Sequence, residues 1–342
     1  MQKKVFLALF VALLVITGNL FAAGEKQAAA GDWKPNKPIH IIVPWGAGGS
    51  TDQATRIVVP ELEKGLGARI VIDNQPGASG STGTKNAMDA ARDGYTWAAG
   101  AAADLATYKV AGMLDTVIKN DWDIFLSVAN IGVVAVNVDS KYQTINDLIA
   151  DLKANPGQIS IAVAGQLSAG HINMEMLRSH TGVEYKLVTY DSGTHAVTAV
   201  VAGEAMVTTQ LAVEMANMIR GKRIRPLAVF SNDDLTLEGY GTIPALSKFL
   251  PGFKCGLNYF GIYIPKGVPP EVVATVTKIW RENVMNSESI KKYAAENGAI
   301  YAPSYGQAAQ DAAFSYYQHV AWLYHDAGKT VISPATIGIP RP

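Results

Sequence analysis

Pro44-Trp45-Gly46-Ala47-Gly48-Gly49-Ser50-Thr51-Asp52 is the stretch on which the reading of this chain turns. An apolar run, 39–44, ends on it, and apolar residues at helical spacing, 51–66, start from it. A strand that runs through glycines straight into a helix is the first unit of an α/β fold. Glycines let a ligand approach the backbone closely, and free N–H groups at a helix start attract anions. Thr51 or Asp52 is placed to cap the helix. The same residues would also make a tight turn with no ligand, and spacing alone leaves both readings open. Nucleotide fingerprints fail here: Thr51 stands where a dinucleotide loop needs its third glycine. Gly-Lys-Thr occurs only at Gly328-Lys329-Thr330, with Leu323 in place of the leading glycine of a P-loop.

Working outward, the alternation continues. Strands are expected at 69–73 and 95–99 with a helix at 83–92 between them. A long apolar strand at 128–138 opens a second set, with helices at 145–154, 169–181, 193–203 and 212–221 and strands at 159–164, 186–189, 205–209 and 225–230. Residues 232–252, rich in Gly, Pro and Asp, read as loop. A second long apolar strand, 256–265, precedes helices at 270–286, 287–296 and 307–327. The expected fold is α/β with two lobes, each a mainly parallel sheet flanked by helices, joined by two crossover strands. The first lobe would hold 31–127 and 256–342, the second 128–255, with the ligand cleft between them.

Ahead of the mature chain, Lys3 and Lys4 precede an unbroken apolar run at 5–16 and small residues around Ala22, Ala23 and Gly24. That order is a secretory signal peptide, 1–24, with the cut between 22 and 30, and it implies a periplasmic protein. The run is shorter than the about 20 apolar residues that span a bilayer. Twenty-nine basic residues balance 29 acidic ones, which excludes a polyanion partner such as nucleic acid. Cys255 is the only cysteine, so no internal disulfide or Cys-x-x-Cys site forms. The six histidines make no His-x-x-x-His pair, so neither a metal nor another cofactor is expected. The mature protein is expected to be a soluble monomer.

Two further polar loops run from strand to helix. Gly165-Gln166-Leu167-Ser168-Ala169-Gly170-His171 resembles a nucleophile elbow with one residue too many before the serine. Ser168 and His171, three apart, either face a cleft or are a helix N-cap and a surface histidine. Tyr190-Asp191-Ser192-Gly193-Thr194-His195 is the other loop, where Asp191 reads as a solvated turn residue. Gly77-Ala78-Ser79-Gly80-Ser81 also misses the elbow pattern. A hydrolase built on Ser168 with His171 or His195 would need an acid to orient the histidine and an oxyanion hole, and the spacing supports neither. No catalytic residue is assigned. Oriented capture of an oxyanion by backbone donors and hydroxyls needs no nucleophile.

The chain resembles the solute receptors of tripartite tricarboxylate transporters, the Bug family of periplasmic receptors, from about residue 38 to 327. The resemblance is carried by Lys37-Pro38-Ile39 leading into Val43 to Asp52, and by Asp73-Asn74-Gln75-Pro76-Gly77-Ala78-Ser79-Gly80. Asp93-Gly94-Tyr95-Thr96, Gly193, and Ile264-Pro265-Lys266-Gly267-Val268-Pro269-Pro270-Glu271 complete it. It implies a type II-like periplasmic binding fold that binds without chemistry, for membrane subunits of a transporter. It also implies an organic-acid ligand, from tricarboxylates to acidic amino acids and aromatic carboxylates, with some uncharged exceptions. The ligand residues implied are Trp45, Gly46, Ala47, Gly48, Gly49, Thr51 and Asp52, then Ser79, Ser168, His171, Tyr190 and Ser192. Three departures favour a smaller or less charged acid than a tricarboxylate. Trp45 replaces Phe or Tyr, Ala101-Ala102-Ala103-Asp104 replaces a Ser/Thr-rich stretch, and Asp191 takes a place often held by Lys. A receptor that signals rather than transports would carry the same residues.

Overall fold

The structure, a computed structural model, describes residues 32–342; the signal-peptide assignment lies outside the described residues. The first lobe begins β1 (Ile39–Val43), α1 (Ser50–Leu66), β2 (Ile70–Asn74), α2 (Ser81–Asp89), β3 (Thr96–Ala101), α3 (Ala102–Thr107), α4 (Ile118–Asp121) and β4 (Trp122–Asn130). The second lobe follows: β5 (Gly132–Asn137), α5 (Ile145–Ala154), β6 (Ser160–Val163), α6 (Ala169–Thr181), β7 (Lys186–Thr189), α7 (Gly193–Ala202), β8 (Val207–Thr208), α8 (Ala212–Arg220) and β9 (Ile224–Phe230). A hairpin, β10 (Leu235–Leu237) and β11 (Gly241–Ile243), leads back to β12 (Asn258–Pro265), α9 (Pro270–Glu282), α10 (Glu288–Asn297), β13 (Ala299–Tyr305) and α11 (Gly306–Asp326).

Two sheets carry the lobes. One has the order β13-β4-β12-β3-β1-β2, the other β7-β6-β8-β5-β9. Both are mixed rather than mainly parallel. The βαβ units pair parallel, β1 with β2 and β3, and β6 with β7 and β8. The remaining pairs are antiparallel: β12 with β3 and β4, β13 with β4, and β5 with β8 and β9. Alternate residues of β1 feed two cores. Ile41 packs with Val58, Leu62 and Trp280 on one face, and Ile42 joins Tyr108 and Tyr263 on the other. Period-two burial of both faces is what a central strand covered by helices requires.

The expected strand 128–138 is two strands in line, and the chain changes sheets at Ile131. Asn130 pairs in the large sheet and Gly132 in the small one. Only glycine fits at the second position, because a Cβ there would lie 2.1 Å from Asn173 Nδ2. The second expected crossover strand does not cross. β12 pairs along its length with β4, and with β3 over four residues, so it stays in the six-stranded sheet. The return runs through 231–257, where the hairpin β10–β11 occupies the expected loop. Among the described residues no helix is long and apolar enough to cross a membrane.

Candidate binding site between the lobes

Three helix starts meet where the lobes face each other. α1 begins after Gly49, α6 after Ser168 and α7 after Ser192. Gly49, Ser50, Thr51, Ser168, Ala169 and Gly193 all line one cavity of about 20 Å³, with Ala101, Phe260 and Trp45 closing its first-lobe side. That volume holds roughly one water, so a solute enters only when the lobes part. Next to it, sharing Trp45 and Ala164, lies a trough of about 320 Å³ bordered by Ser79, Gly165, Tyr190 and Asp191.

Glycines bring the lobes together. Gly46 N donates to Asp191 O at 3.0 Å, and Gly48 O accepts from Thr194 Oγ1 at 2.6 Å. A Cβ on Gly46 would press Asp191 O and Ser192 Cβ, both at 3.1 Å. Gly48 adopts φ +78°, a left-handed conformation that favours glycine. Asp52 holds this loop from inside: its carboxylate accepts from Gly48 N at 2.8 Å, Asn74 Nδ2 at 3.0 Å and Arg56 Nε at 2.8 Å. Burial opposes the charge of Asp52, but the bonds from Arg56, Gly48 and Asn74 prevail and hold its carboxyl below the usual range.

Two acidic side chains complete the cavity. Glu214 Oε1 accepts from Ser50 N at 2.8 Å across the lobe boundary, and Oε2 accepts from Leu211 N at 3.2 Å. With its amide nitrogen turned to Glu214, Gln210 donates to Oε2 at 2.8 Å and accepts from Ala164 N at 2.7 Å. Asp104 Oδ2 accepts from the Trp45 indole N–H at 3.3 Å. Burial raises both carboxyls, and Asp104 reaches about 7.

A two-lobed α/β chain with helix starts converging on an interlobe cavity has known counterparts. The sequence model of the family described as "Tripartite tricarboxylate transporter family receptor" matches residues 54–319. The chain belongs to that family. Protein BugT of Bordetella pertussis is 27% identical over 291 residues, 83% of this chain and 88% of that one. A protein of Pseudomonas sp. strain P51, encoded between tcbD and tcbE, is 31% identical over 244 residues, 70% and 71% of the two chains. Among solved structures, the periplasmic binding protein BugD superposes with a TM-score of 0.78 at 22% identity, covering 86% of this chain and 99% of that one. An R. palustris protein solved with adipate gives 0.77 at 24%, covering 87% and 99%. The family makes this chain an extracytoplasmic solute-binding receptor, not an enzyme.

In this receptor the residues singled out by sequence divide into groups. Trp45, Gly49, Thr51 and Ser168 line the small cavity, and Ser79 and Tyr190 border the trough. Gly46, Gly48 and Asp52 act behind them, and Ala47 is exposed. Ser168 and Ser192 are N-caps, accepting from the amides of His171 at 3.4 Å and His195 at 3.2 Å. His171 turns away. Its Nδ1 accepts from Leu167 N at 3.1 Å and meets Tyr324 Oη at 3.1 Å, and the ring lines a separate cavity of about 730 Å³ with Glu175, Arg178 and Lys329. Burial lowers its pKa to about 4, so it is neutral at pH 7. Ser168→Ala is therefore expected to destabilise the free protein by about 0.5–2 kcal/mol through the lost cap, read by urea unfolding. An unchanged midpoint would remove the cap from the account. Sequence reasoning missed Ser50, Gln210 and Glu214. Glu214 looks like an ordinary acidic residue in the first turn of α8, and only the fold carries it to α1.

Proposed function

We propose that this receptor captures a small carboxylate-bearing solute between its lobes and delivers it to the membrane subunits of a tripartite tricarboxylate-type transporter. It would do so in the periplasm as a monomer, with 32–130 and 258–342 on one side of the cleft and 132–230 on the other. The observation that carries the reading is the convergence of α1, α6 and α7 on one interlobe cavity. Amides at a helix start favour negative charge, and three starts from two lobes reward closure around an anion. Proteins of the same fold solved with adipate and with malate are consistent with it. Closure is driven only by contacts that exist in the closed form, which the loop 46–49 and residues 191–194 supply together.

A thermal-shift screen of organic acids, followed by calorimetry, tests this, since a ligand of the folded state raises apparent stability. At least one acid is expected to bind. Gly49→Val is expected to cost at least about 1.4 kcal/mol of affinity, a factor of ten, while folding normally. Its added methyls would crowd Gly46 O, 3.3 Å from where a Cβ on residue 49 would stand, and Ser192 Cβ, 3.4 Å away. Normal binding by this variant would reduce the loop to a turn.

A further inference from the structure

The interlobe cavity contains two carboxyl groups, and among the described residues no lysine, arginine or histidine lines it. Glu214 is fully engaged. Its carboxylate sits against the start of α1 through Ser50 N and so close to Gly193 that a Cβ there would lie 2.1 Å from Oε2. It thus fills, with the protein's own carboxylate, a position at a helix start that suits an anion. Asp104 is not fully engaged. It is 5% exposed, its Oδ2 is taken by Trp45, and its Oδ1 is buried with no hydrogen-bond partner among the described residues. A buried acceptor left unpaired costs free energy that a donor from outside would recover. Around Asp104, the hydroxyl-bearing neighbours Tyr108 just after α3, Tyr263 on β12, and Tyr316 and Tyr324 on α11 bring no positive charge; Glu214 faces it across the cavity.

A di- or tricarboxylate would place further negative charge beside these two groups with no cation to offset it. A protonated nitrogen would supply the missing donor and the missing charge at once. We propose that Asp104 is the specificity-determining residue of this cavity, accepting a hydrogen bond from a protonated amine of the solute through Oδ1. The solute is then a zwitterion with one carboxylate, and Glu214 stands where a second carboxylate would bind. This deepens the reading of the interlobe cleft as the solute site and rests on it.

The charge state of Asp104 gives the test a sign. With its pKa near 7 in the free protein, an ammonium group would lower it, so binding at pH 7 releases a proton and affinity falls as pH drops below 7. A plain carboxylate would raise it, so binding takes up a proton and affinity falls as pH rises above 7. The experiment is calorimetry on the mature chain in two buffers of different ionisation enthalpy. The probes are malate and adipate, α- and ω-amino acids of matching chain length, and the corresponding diamines. Expected are binding of an amino acid with proton release, at least tenfold weaker binding of it by Asp104→Asn, and loss of the proton release in that variant. Glu214→Gln should keep the pH dependence, which separates the two carboxyls. The melting temperature of each free variant excludes misfolding as the cause. Tight binding of malate or adipate by the parent, unweakened in Asp104→Asn, would overturn the proposal and leave the carboxylate reading standing. Binding of diamines alone would overturn both, as would a response to none of the probes.

Discussion

Asp104→Asn is expected to melt higher than the parent chain at pH 8, although it removes a group from the candidate binding site. The carboxyl is buried on α3 and its pKa is raised to about 7 from the model-peptide 3.8, because burial outweighs the opposing contributions of the Trp45 indole and the Ala101 backbone. Between those two values the folded chain holds a proton that the unfolded chain has released. The unfolded state therefore binds fewer protons, and stability falls as pH rises through the window. At about 1.4 kcal/mol per unit, the accumulated cost above pH 7 is on the order of 4 kcal/mol. Asparagine keeps the shape and an acceptor for the indole N–H and has no charge to bury. Urea unfolding at several pH values should show little difference near pH 4, a growing advantage for the variant up to pH 7, and a plateau beyond. A variant less stable than its parent at pH 8 would mean that Asp104 is charged and well satisfied in the free protein. A destabilised group retained in a cleft is the pattern expected where function, not stability, keeps a residue.

What could be read before the fold was known was what local chemistry decides. The βα loops announced themselves because a strand that turns sharply into a helix needs glycine and a capping side chain within a few residues. Ser168 and Ser192 are caps of that kind. The hairpin β10–β11 and the strand β13 were not legible. β10 and β11 are three residues each, too short to show a period, and β13 contains Pro303 and is held by β4, far away in sequence. The crossing at Ile131 was hidden for a similar reason, since two strands in line share one apolar run and only their partners differ. At the site, Asp104 left a trace as the acid that ends an alanine run where family members carry hydroxyls. Glu214 left none, because 164 residues separate it from the amide it meets. His171 was drawn toward the cleft by its spacing from Ser168. The helix turns instead send its ring to Tyr324 and Leu167.

Glu175→Ala is expected to destabilise the protein by about 3–5 kcal/mol, the range for removing one partner of a buried ion pair. Glu175 is 1% exposed on α6, and everything around it depends on its charge. Oε1 accepts from Tyr185 Oη at 2.6 Å, and Oε2 meets Lys329 Nζ at 2.8 Å and Arg178 Nη2 at 3.1 Å. Lys329 follows α11, so the carboxylate ties the second lobe to the C-terminal segment. Burial works against the charge, but Lys329, Tyr185 and Arg178 prevail and hold the carboxyl below its usual range. For a lowered carboxyl the stabilisation is complete above the unfolded value of 4.5 and disappears as pH falls through the folded one. The gap between parent and variant should therefore be constant from pH 5 to pH 8 and close in stronger acid. His171 beside it, held down to about 4 chiefly by burial, weakens parent and variant alike as pH falls from 6.5, so the two chains must be compared at the same pH. Arg178 also reaches Glu184, at 3.4 Å, and both cations keep access to water, which places the expected loss toward the lower end of the range. Glu175→Gln should fall between, since its amide oxygen can still accept from Tyr185 while its nitrogen faces two cations. Equal unfolding midpoints for parent and Glu175→Ala at pH 7 would mean that the cations and Tyr185 are satisfied without the carboxylate, and that the C-terminal segment is held by packing of α11 alone.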